Sequence, residues 1–493
     1  MKRWHDIFPG NEIFPADASV TGLYRHHEQI PTDVEPGIKV FFAIPGPVED
    51  GRNFIGAAIQ RGVVAIVGEH SSNLPEQICS LKVPDASVAW AEAQCRWCEF
   101  PDKSLHVFGI TGTSGKTTTA HAIRHLLGAH CGLVSTVEIA WDKHVEPAKQ
   151  TTPDAQSIFS SFRQMINEGC DSVALEVSSH GLAQHRVYGI RFDCAIFTNL
   201  SRDHLDFHGH MDAYFNTKLR LFDGRNGIIP KCSVINGDDP RGQQLISILC
   251  GQKYVIVGKS HQADWQLLHC ERTNFGMIVH FSRAGKNHSF STALLGTFNA
   301  MNLLQALAAV ANDCPWRLPE FLDRISSFVP VCGRLQRLSV ESGGEIFIDF
   351  AHSPDALEQT LTTLRQRYAC PLWTLFGCGG DRDRGKRPQM ARIAEIYGDF
   401  TIVTDDNPRS EAPELIAEEI TRGFRRRNYR IIHDRREAIS FAAKSLLTHR
   451  GILIIAGKGH EKSQISRGLS IPFSDVEIVS ESLRELGENF KNF

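Results

Sequence analysis

Short apolar runs rich in β-branched and aromatic residues alternate along this chain with segments of helical period. Near the start, Val40-Phe41-Phe42-Ala43-Ile44 predicts a strand, Ile55 to Arg61 a helix and Val63 to Val67 a second strand. A polar joint at Pro101-Asp102-Lys103-Ser104 closes this part. Beyond it the pattern predicts strands at Val107 to Thr111, Ser172 to Val177 and Ala195 to Thr198, with a helix opening at Lys116 and another near Asn299. A break near Val329-Pro330-Val331-Cys332-Gly333 precedes a third stretch of the same grammar. Its strands are expected at Ile346 to Phe350, Trp373 to Phe376, Thr401 to Thr404 and Ile452 to Ala456, and its helices at Ala356 to Tyr368, Met390 to Tyr397 and Pro413 to Phe424. Such alternation implies an α/β protein with mostly parallel sheets and helices on both faces.

Length fits this division, since 493 residues exceed one hydrophobic core and suggest about three domains. The breaks put them at residues 1–103, 104–331 and 332–493. Hydrophobic residues make up 42% and charged residues 22%, which excludes a long disordered tract. With 53 Lys plus Arg against 56 Asp plus Glu, the formal charge is −3, so no basic excess draws the chain to nucleic acid or an anionic membrane. Small molecules are the expected partners and a monomer the expected state. Positive charges at Lys2 and Arg3 have no apolar core behind them, and runs such as Ile452 to Ala456 are too short to span a bilayer, so the expected location is the cytoplasm. Thirteen scattered cysteines suit a reducing compartment. Cys95-Arg96-Trp97-Cys98 ends an Ala-rich helical stretch and has no second pair at zinc-finger spacing, so it reads as core packing.

One local segment carries chemistry. Gly109-Ile110-Thr111-Gly112-Thr113-Ser114-Gly115-Lys116-Thr117-Thr118 lies between an apolar strand and a helix. Glycines there let backbone N–H groups crowd onto phosphate oxygens, and the helix start adds partial positive charge. Lys116 reaches the β and γ phosphates, while Thr117 can ligate Mg²⁺. The strict pattern has glycine where this chain has Ile110, with glycines at 109 and 112 instead. By itself the loop indicates only a nucleotide hydrolase, kinase or ligase.

The form TGTxGKTT resembles the Mur ligase family, which also includes the folylpolyglutamate synthetases. Glu176-Val177-Ser178-Ser179-His180-Gly181, Gln184-His185-Arg186 and the stretch from Thr198 to Gly209 match the branch that adds the third residue of a peptidoglycan stem peptide. So do Asp349-Phe350-Ala351-His352, Gly379-Gly380-Asp381-Arg382, Asp406-Asn407-Pro408-Arg409 and Gly457-Lys458-Gly459-His460-Glu461. The match runs in the family's order from about residue 35 to residue 480. It implies an N-terminal α/β domain for the UDP portion, a central P-loop domain for ATP and a C-terminal Rossmann-like domain for the incoming amino acid. One part departs from the pattern: the family's Asp-Ser-Arg stretch after a Gly-Leu is replaced by Tyr24-Arg25-His26-His27-Glu28-Gln29.

What the resemblance implies about the site follows residue by residue. ATP would be held by Gly112, Thr113, Ser114, Gly115, Lys116, Thr117 and Thr118, with Asn299, Arg334 and Asp349 adding adenine and third-domain contacts. Mg²⁺ would take Thr117 and Glu176, and a second Mg²⁺ His204 and Lys218, the lysine carrying a CO₂-derived carbamate. Lys116, Lys218 and His204 form the expected catalytic set. Thr151, Thr152, Ser178, Gln184 and Arg186 would grip the UDP-sugar-dipeptide. Arg382, Asp406, Asn407, Pro408, Arg409, Gly457 and Glu461 would take the amino acid, with Arg409 and Arg382 suited to the second carboxylate of meso-diaminopimelate and Glu461 to an ammonium group.

Read without the resemblance, several of these residues have plainer roles. Glu176 could belong to a buried ion pair, Lys218 would be a solvated charge on an amphipathic helix, Asn299 a helix N-cap and Asp406 to Arg409 a turn. The expected activity is ATP-dependent addition of meso-diaminopimelate to UDP-N-acetylmuramoyl-L-alanyl-D-glutamate. Alternatives are the same ligase using L-lysine, a folylpolyglutamate synthetase-like ligase, and a nucleotide-binding regulator without catalysis.

Overall fold

The computed structural model describes residues 1–32, 37–46, 49–69, 74–341 and 343–492. Two compact units emerge. The first comprises Met1–Gly109, Ala129–Ala195 and Lys218–Lys231, and the second Ile110–Gly128, Ile196–Thr217 and Cys232–Phe493.

In the first unit a five-stranded sheet runs in sequence order from Lys2–Arg3 through Ser19–Tyr24, Ile38–Phe42 and Ala65–Gly68 to Cys79–Lys82. The edge pair is antiparallel and the rest are parallel. Phe41, Ala43, Ala58, Val63 and Ile66 pack together on one face, which is why the strand and helix pattern was visible in their spacing. The apolar run at 40–44 overshoots its strand, which ends at Phe42. Helix Ala86–Trp97 begins at Asp85, whose carboxylate accepts from the N–H groups of Ser87 and Val88. Cys95 and Cys98 are buried, and burial raises both thiols, so this pair packs a core. The same unit holds Ser172–Glu176 parallel to Cys131–Val134, continued by the antiparallel strands Glu138–Trp141 and His144–Pro147.

The second unit carries the phosphate-loop helix Lys116–Leu127 and the long buried helix Thr297–Ala311. Strands Cys232–Asn236, Tyr254–Gly258 and Trp265–Arg272 are parallel, but Met277–Arg283 and Lys286–Thr292 follow as an antiparallel meander that the apolar spacing alone does not predict. Their residues alternate in burial, with Met277, Val279 and Phe281 inward.

The last third of the chain, also in this unit, forms a seven-stranded sheet. Its order is Tyr429–Ile431, Phe400–Val403, Leu372–Phe376, Ile452–Ala456, Glu345–Asp349, Gln336–Val340, Phe490–Asn492, parallel over the first five and antiparallel at the final two. Its central strand, Ile452–Ala456, is buried throughout, as a strand covered by helices on both faces must be. The strand expected to reach Phe350 stops at Asp349, and the helix expected from Met390 already starts at Lys386. Among the described residues no helix is long and apolar enough to cross a membrane.

Candidate active site

In the second unit the phosphate loop is shaped by close packing. Gly112 has φ 153° and Gly115 has φ 87°; a Cβ at the first would lie 1.8 Å from the Thr198 hydroxyl oxygen, and at the second 2.3 Å from Asn302 Oδ1. Asn199 braces Ser114 from both sides, accepting from its N–H at 3.0 Å and donating to its carbonyl at 3.1 Å, while the Thr198 hydroxyl donates to the same carbonyl at 2.6 Å. The Lys116 ammonium donates to the carbonyls of Gly112 at 2.9 Å and Thr113 at 3.0 Å, which holds the cation over the loop. Thr113 Oγ1 lies 3.3 Å from the Tyr214 hydroxyl. Thr117 and Thr118 are buried in the first turn.

Arg334 and Asp349 meet the same loop region. Arg334 Nη2 donates to Thr117 Oγ1 at 2.9 Å, and its guanidinium lies over the Phe350 ring. The half-buried Asp349 accepts from the N–H groups of Leu335 at 2.6 Å and Ala351 at 2.9 Å; desolvation raises its pKa against the pull of Arg334. His121, on the phosphate-loop helix, is pushed down to about 3 by burial and by Arg124 and Arg334, so it is neutral at ordinary pH. Asn299 is not an N-cap, because Gly296 caps its helix; the Asn299 side chain donates to the Leu295 carbonyl and lines a slot of about 270 Å³ with Leu294, Leu295 and Leu335.

His204 has φ 54° and begins the short helix Leu205–His208. Its neighbour Asp203 is buried and faces three side-chain nitrogens: Lys386 Nζ at 3.3 Å, His352 Nε2 at 3.2 Å and His204 Nε2 at 3.5 Å. Beside it Arg202 makes a two-point pair with Asp383 at 2.8 and 2.9 Å. Asp203, Lys386, Asn199 and Asn302 were not singled out by their spacing. Each lies inside or beside a quoted motif, but its partner stands far away in the chain.

The amino-acid set sits at the carboxyl ends of neighbouring parallel strands, where open α/β sheets collect ligands. Gly457 has φ 113°, and a Cβ there would meet Asp406 Oδ2 at 2.4 Å. Asn407 donates to Glu461 Oε2 at 2.9 Å. Glu461 does meet an ammonium, but it belongs to the chain: the buried Lys458 donates to Glu461 Oε2 at 2.9 Å and to Asn407 Oδ1 at 3.1 Å. Arg409, at φ 55°, donates to the Gly380 carbonyl at 2.7 Å, and Pro408 packs its carbonyl against Gly380. Burial and the nearby Arg382 both lower the pKa of Arg409. Gly379 packs against both arginines, since a Cβ there would lie 2.7 Å from Arg409 Nη1 and 3.7 Å from Arg382 Cγ, and Arg382 Nη1 lies 3.8 Å from Asp206 Oδ2.

In the first unit Glu176 is fully buried at its strand end, and its carboxylate accepts from Thr136 N–H at 2.8 Å and Thr136 Oγ1 at 3.0 Å. Lys218 is no solvated charge: near the end of helix Met211–Leu219 it is only 1% exposed. Among the described residues no three His, Cys, Asp or Glu side chains converge as a ready metal cage.

The expected UDP-sugar-dipeptide set divides in two. Thr152 is buried, donating to the Glu176 carbonyl at 2.7 Å and accepting from Ser178 N–H at 2.9 Å, and Ser178 caps helix Ser179–Ala183 by accepting from Gly181 N–H. Both hydroxyls are committed to the loop itself. Thr151 Oγ1 lies 3.2 Å from Thr136 Oγ1. Gln184 and Arg186 instead line a cavity of about 480 Å³ with Arg25, His26, Glu49 and Phe54. Arg186 donates to Gln184 Oε1 and to the Thr152 carbonyl at 2.7 Å; burial and Arg25 lower its pKa. His27 stacks on Phe54 at 4.6 Å, so the segment that departs from the family pattern borders this cavity.

Family models and known proteins match this chain over most of its length. Residues 110–310 match the family model for the Mur ligase middle domain, and residues 333–459 that for the Mur ligase, glutamate ligase domain. A UDP-N-acetylmuramoyl-L-alanyl-D-glutamate--2,6-diaminopimelate ligase of Chlorobium phaeobacteroides is 39% identical over 92% of this chain and 91% of its own. One of Ectopseudomonas mendocina is 37% identical over 96% and 98%. A solved structure of a ligase of that name covers 99% of this chain and 100% of its own, at 31% identity and a TM-score of 0.68. A folylpolyglutamate synthase of Mycobacterium tuberculosis complexed with ADP is similar in fold alone, at 19% identity over 75% of this chain and a TM-score of 0.62. The chain belongs to the Mur ligase family.

Proposed function

We propose that this protein is an ATP-dependent ligase that joins meso-diaminopimelate to the D-glutamate of UDP-N-acetylmuramoyl-L-alanyl-D-glutamate in peptidoglycan synthesis. The observation that carries the choice of amino acid is the Arg409–Arg382 pair at the strand ends, with Asn407, Lys458 and Glu461 beside it. A guanidinium recognises a carboxylate in two-point geometry, and diaminopimelate has a distal carboxylate that lysine lacks.

The reaction divides into two displacements. A carboxylate oxygen of the substrate's D-glutamate attacks the γ-phosphorus, ADP leaves, and an acyl phosphate forms. The amine of the incoming amino acid then attacks the acyl carbon, phosphate leaves, and an amide remains. Such phosphoryl transfer depends on positioning and on cations, since charge spreads over phosphoryl oxygens. Lys116 and the backbone from Gly112 to Thr118 hold the β and γ phosphates; Asn299 and its apolar slot take adenine; Arg334 and Asp349 orient the nucleotide from the far side of the loop. The residues that would hold Mg²⁺ are Thr117, Glu176, His204 and a carbamylated Lys218, and the ion would supply charge neutralisation at the phosphoryl oxygens.

The cavity beside Arg186 takes the UDP portion, with Arg25 and Arg186 suited to the diphosphate and Thr151, Thr152, Ser178 and Gln184 shaping the approach of the sugar-dipeptide. By ligand, the chain divides into residues 1–103 for UDP, 104–331 for ATP and 332–493 for the amino acid. The protein acts as a cytoplasmic monomer on small molecules.

An amino-acid panel tests this reading. Enzyme, ATP, Mg²⁺ and UDP-N-acetylmuramoyl-L-alanyl-D-glutamate are incubated with single amino acids, while ADP release and product mass are recorded. The expected result is one product, heavier by a diaminopimelate residue. ADP release with glutamate and a folate in place of these substrates would favour the folylpolyglutamate reading, and no turnover with any combination would favour a regulator.

A further inference from the structure

The amino-acid pocket rests on two turns that strain the backbone. Asp381 in one and Arg409 in the other both have left-handed φ, 54° and 55°, a conformation that costs a non-glycine residue free energy and persists only where neighbours enforce it. The turns are tied together by short bonds. Ser410 Oγ donates to the Asp381 carboxylate at 2.7 Å, Glu411 Oε1 accepts from Asp381 N–H at 2.6 Å, and Gly380 N–H donates to the Asn407 carbonyl at 2.9 Å.

Behind them stands Arg387, whose side chain is fully buried. It donates to both oxygens of Glu411, at 2.8 and 2.9 Å, to Glu419 at 2.8 Å, and to the Gly379 carbonyl at 3.1 Å. One guanidinium therefore grips both turns, one through a carbonyl and the other through a carboxylate. The Gly380 carbonyl, next along from Gly379, accepts Nη1 of Arg409. Among the described residues, both hydrogen bonds of the Arg409 guanidinium use Nη1, leaving its Nε and Nη2 donors for a ligand. A buried ion pair is a poor way to gain stability, because desolvation offsets most of its attraction, whereas it fixes geometry well.

We propose that Arg387, acting through Glu411, is a positioning residue for amino-acid selection: it fixes the Gly379–Asp381 turn, whose carbonyl at Gly380 aims the Arg409 guanidinium. The proposal rests on the reading of Arg409 as the carboxylate-binding residue. Arg387 does not touch the amino acid; it sets how well Arg409 can.

Steady-state kinetics on the full-length enzyme test it, with Arg387→Met, Glu411→Gln, Arg387→Lys and Arg409→Ala compared. In Arg387→Met and Glu411→Gln, KM for meso-diaminopimelate should rise about 10- to 100-fold, the scale expected when a binding group is misplaced by about 1 Å. KM for ATP should change less than about 2-fold, the preference over L-lysine should narrow, and Arg387→Lys should recover part of the loss. A merely structural role would lower kcat with the active fraction and leave KM and the preference unchanged; that result overturns the proposal. Should Arg387→Met not fold, Glu411→Gln and Ser410→Ala decide the matter by the same criteria. Arg409→Ala separates the two levels. If it leaves diaminopimelate KM unchanged, the pocket reading itself fails; if it raises KM while the Arg387 and Glu411 variants do not, only the positioning role fails.

Discussion

The Arg334 guanidinium donates to the Thr117 hydroxyl at 2.9 Å, so a residue just past the second chain break touches the first turn of the phosphate-loop helix. Thr117 is the residue proposed as a Mg²⁺ ligand, and Arg334 stacks on Phe350, next to Asp349. The first turn of the phosphate-loop helix and the start of the C-terminal sheet are thereby linked through one hydrogen bond, with the half-buried Asp349 carboxylate nearby.

Arg334→Ala should raise KM for ATP about 10- to 100-fold, the range for losing a charged hydrogen bond, with less effect on KM for diaminopimelate. Lys116→Ala should instead lower turnover by about 10²- to 10³-fold, because its charge counts most as phosphoryl charge develops. ADP release at saturating and limiting ATP distinguishes the two patterns.

Lys218→Ala should lower turnover by about 10²-fold or more, and added bicarbonate should not restore it, since no amine remains to carbamylate. Acetate or another short carboxylate should restore a fraction by standing in for the carbamate. Intact-mass measurement of the unmodified enzyme under CO₂, with a crystallographic density map at Lys218, checks the modification directly.

Arg409→Ala should reduce diaminopimelate use strongly and narrow its advantage over L-lysine. In the unmodified enzyme, lysine desolvates Arg409 and Arg382 without pairing them, at about 1–3 kcal/mol per unmet group and more for a charged one. Competition between the two amino acids, read by product mass, gives the ratio; equal use by the unmodified enzyme would contradict the pocket assignment.

Arg25→Ala should raise KM for the UDP-linked substrate about 10- to 100-fold while KM for ATP stays within about 2-fold, as expected for one lost charge-assisted contact to a diphosphate. A variant that binds the UDP substrate normally would remove Arg25 from that role.

Acid should loosen the support behind the amino-acid pocket. Hydrogen bonding from Arg387 holds Glu411 below the ordinary carboxyl value of 4.5, and that from Arg384 does the same for Glu419. A depressed folded-state pKa adds stability that is present above the unfolded value and lost as pH falls through the folded one. Glu411→Gln should therefore be less stable near neutrality, with a shallower loss between about pH 5 and pH 3. Urea midpoints across that range measure both.

Much of this protein could be read from order along the chain. The strands at Val107–Thr111, Ile452–Ala456 and Leu372–Phe376 are apolar because both faces are covered, and that cause leaves its mark in consecutive residues. The phosphate loop is likewise local: glycines, a lysine and threonines within one turn and one helix start are enough to specify it. The antiparallel meander from Trp265 to Thr292 was less visible, since its inward residues share an alternating pattern with many surface strands.

Partnership between distant residues was decided only by the tertiary structure. In sequence Lys218 is a charge near the end of a short helix; whether water or protein surrounds it depends on what packs over that helix, and packing buries it. That the Ser178 hydroxyl caps a helix and the Thr152 hydroxyl joins a loop to Glu176 is visible only in the fold. Glu461 looks ready for a ligand's ammonium until Lys458 is found against it. Arg387, Asp203 and Asn302 carry no signal of their own, because hydrogen bonds form across space and a motif records only one of the two partners. The sequence by itself therefore determined the elements and the chemical vocabulary of the site, while the fold decided which groups remain available to do chemistry and which are already spent holding the site in shape.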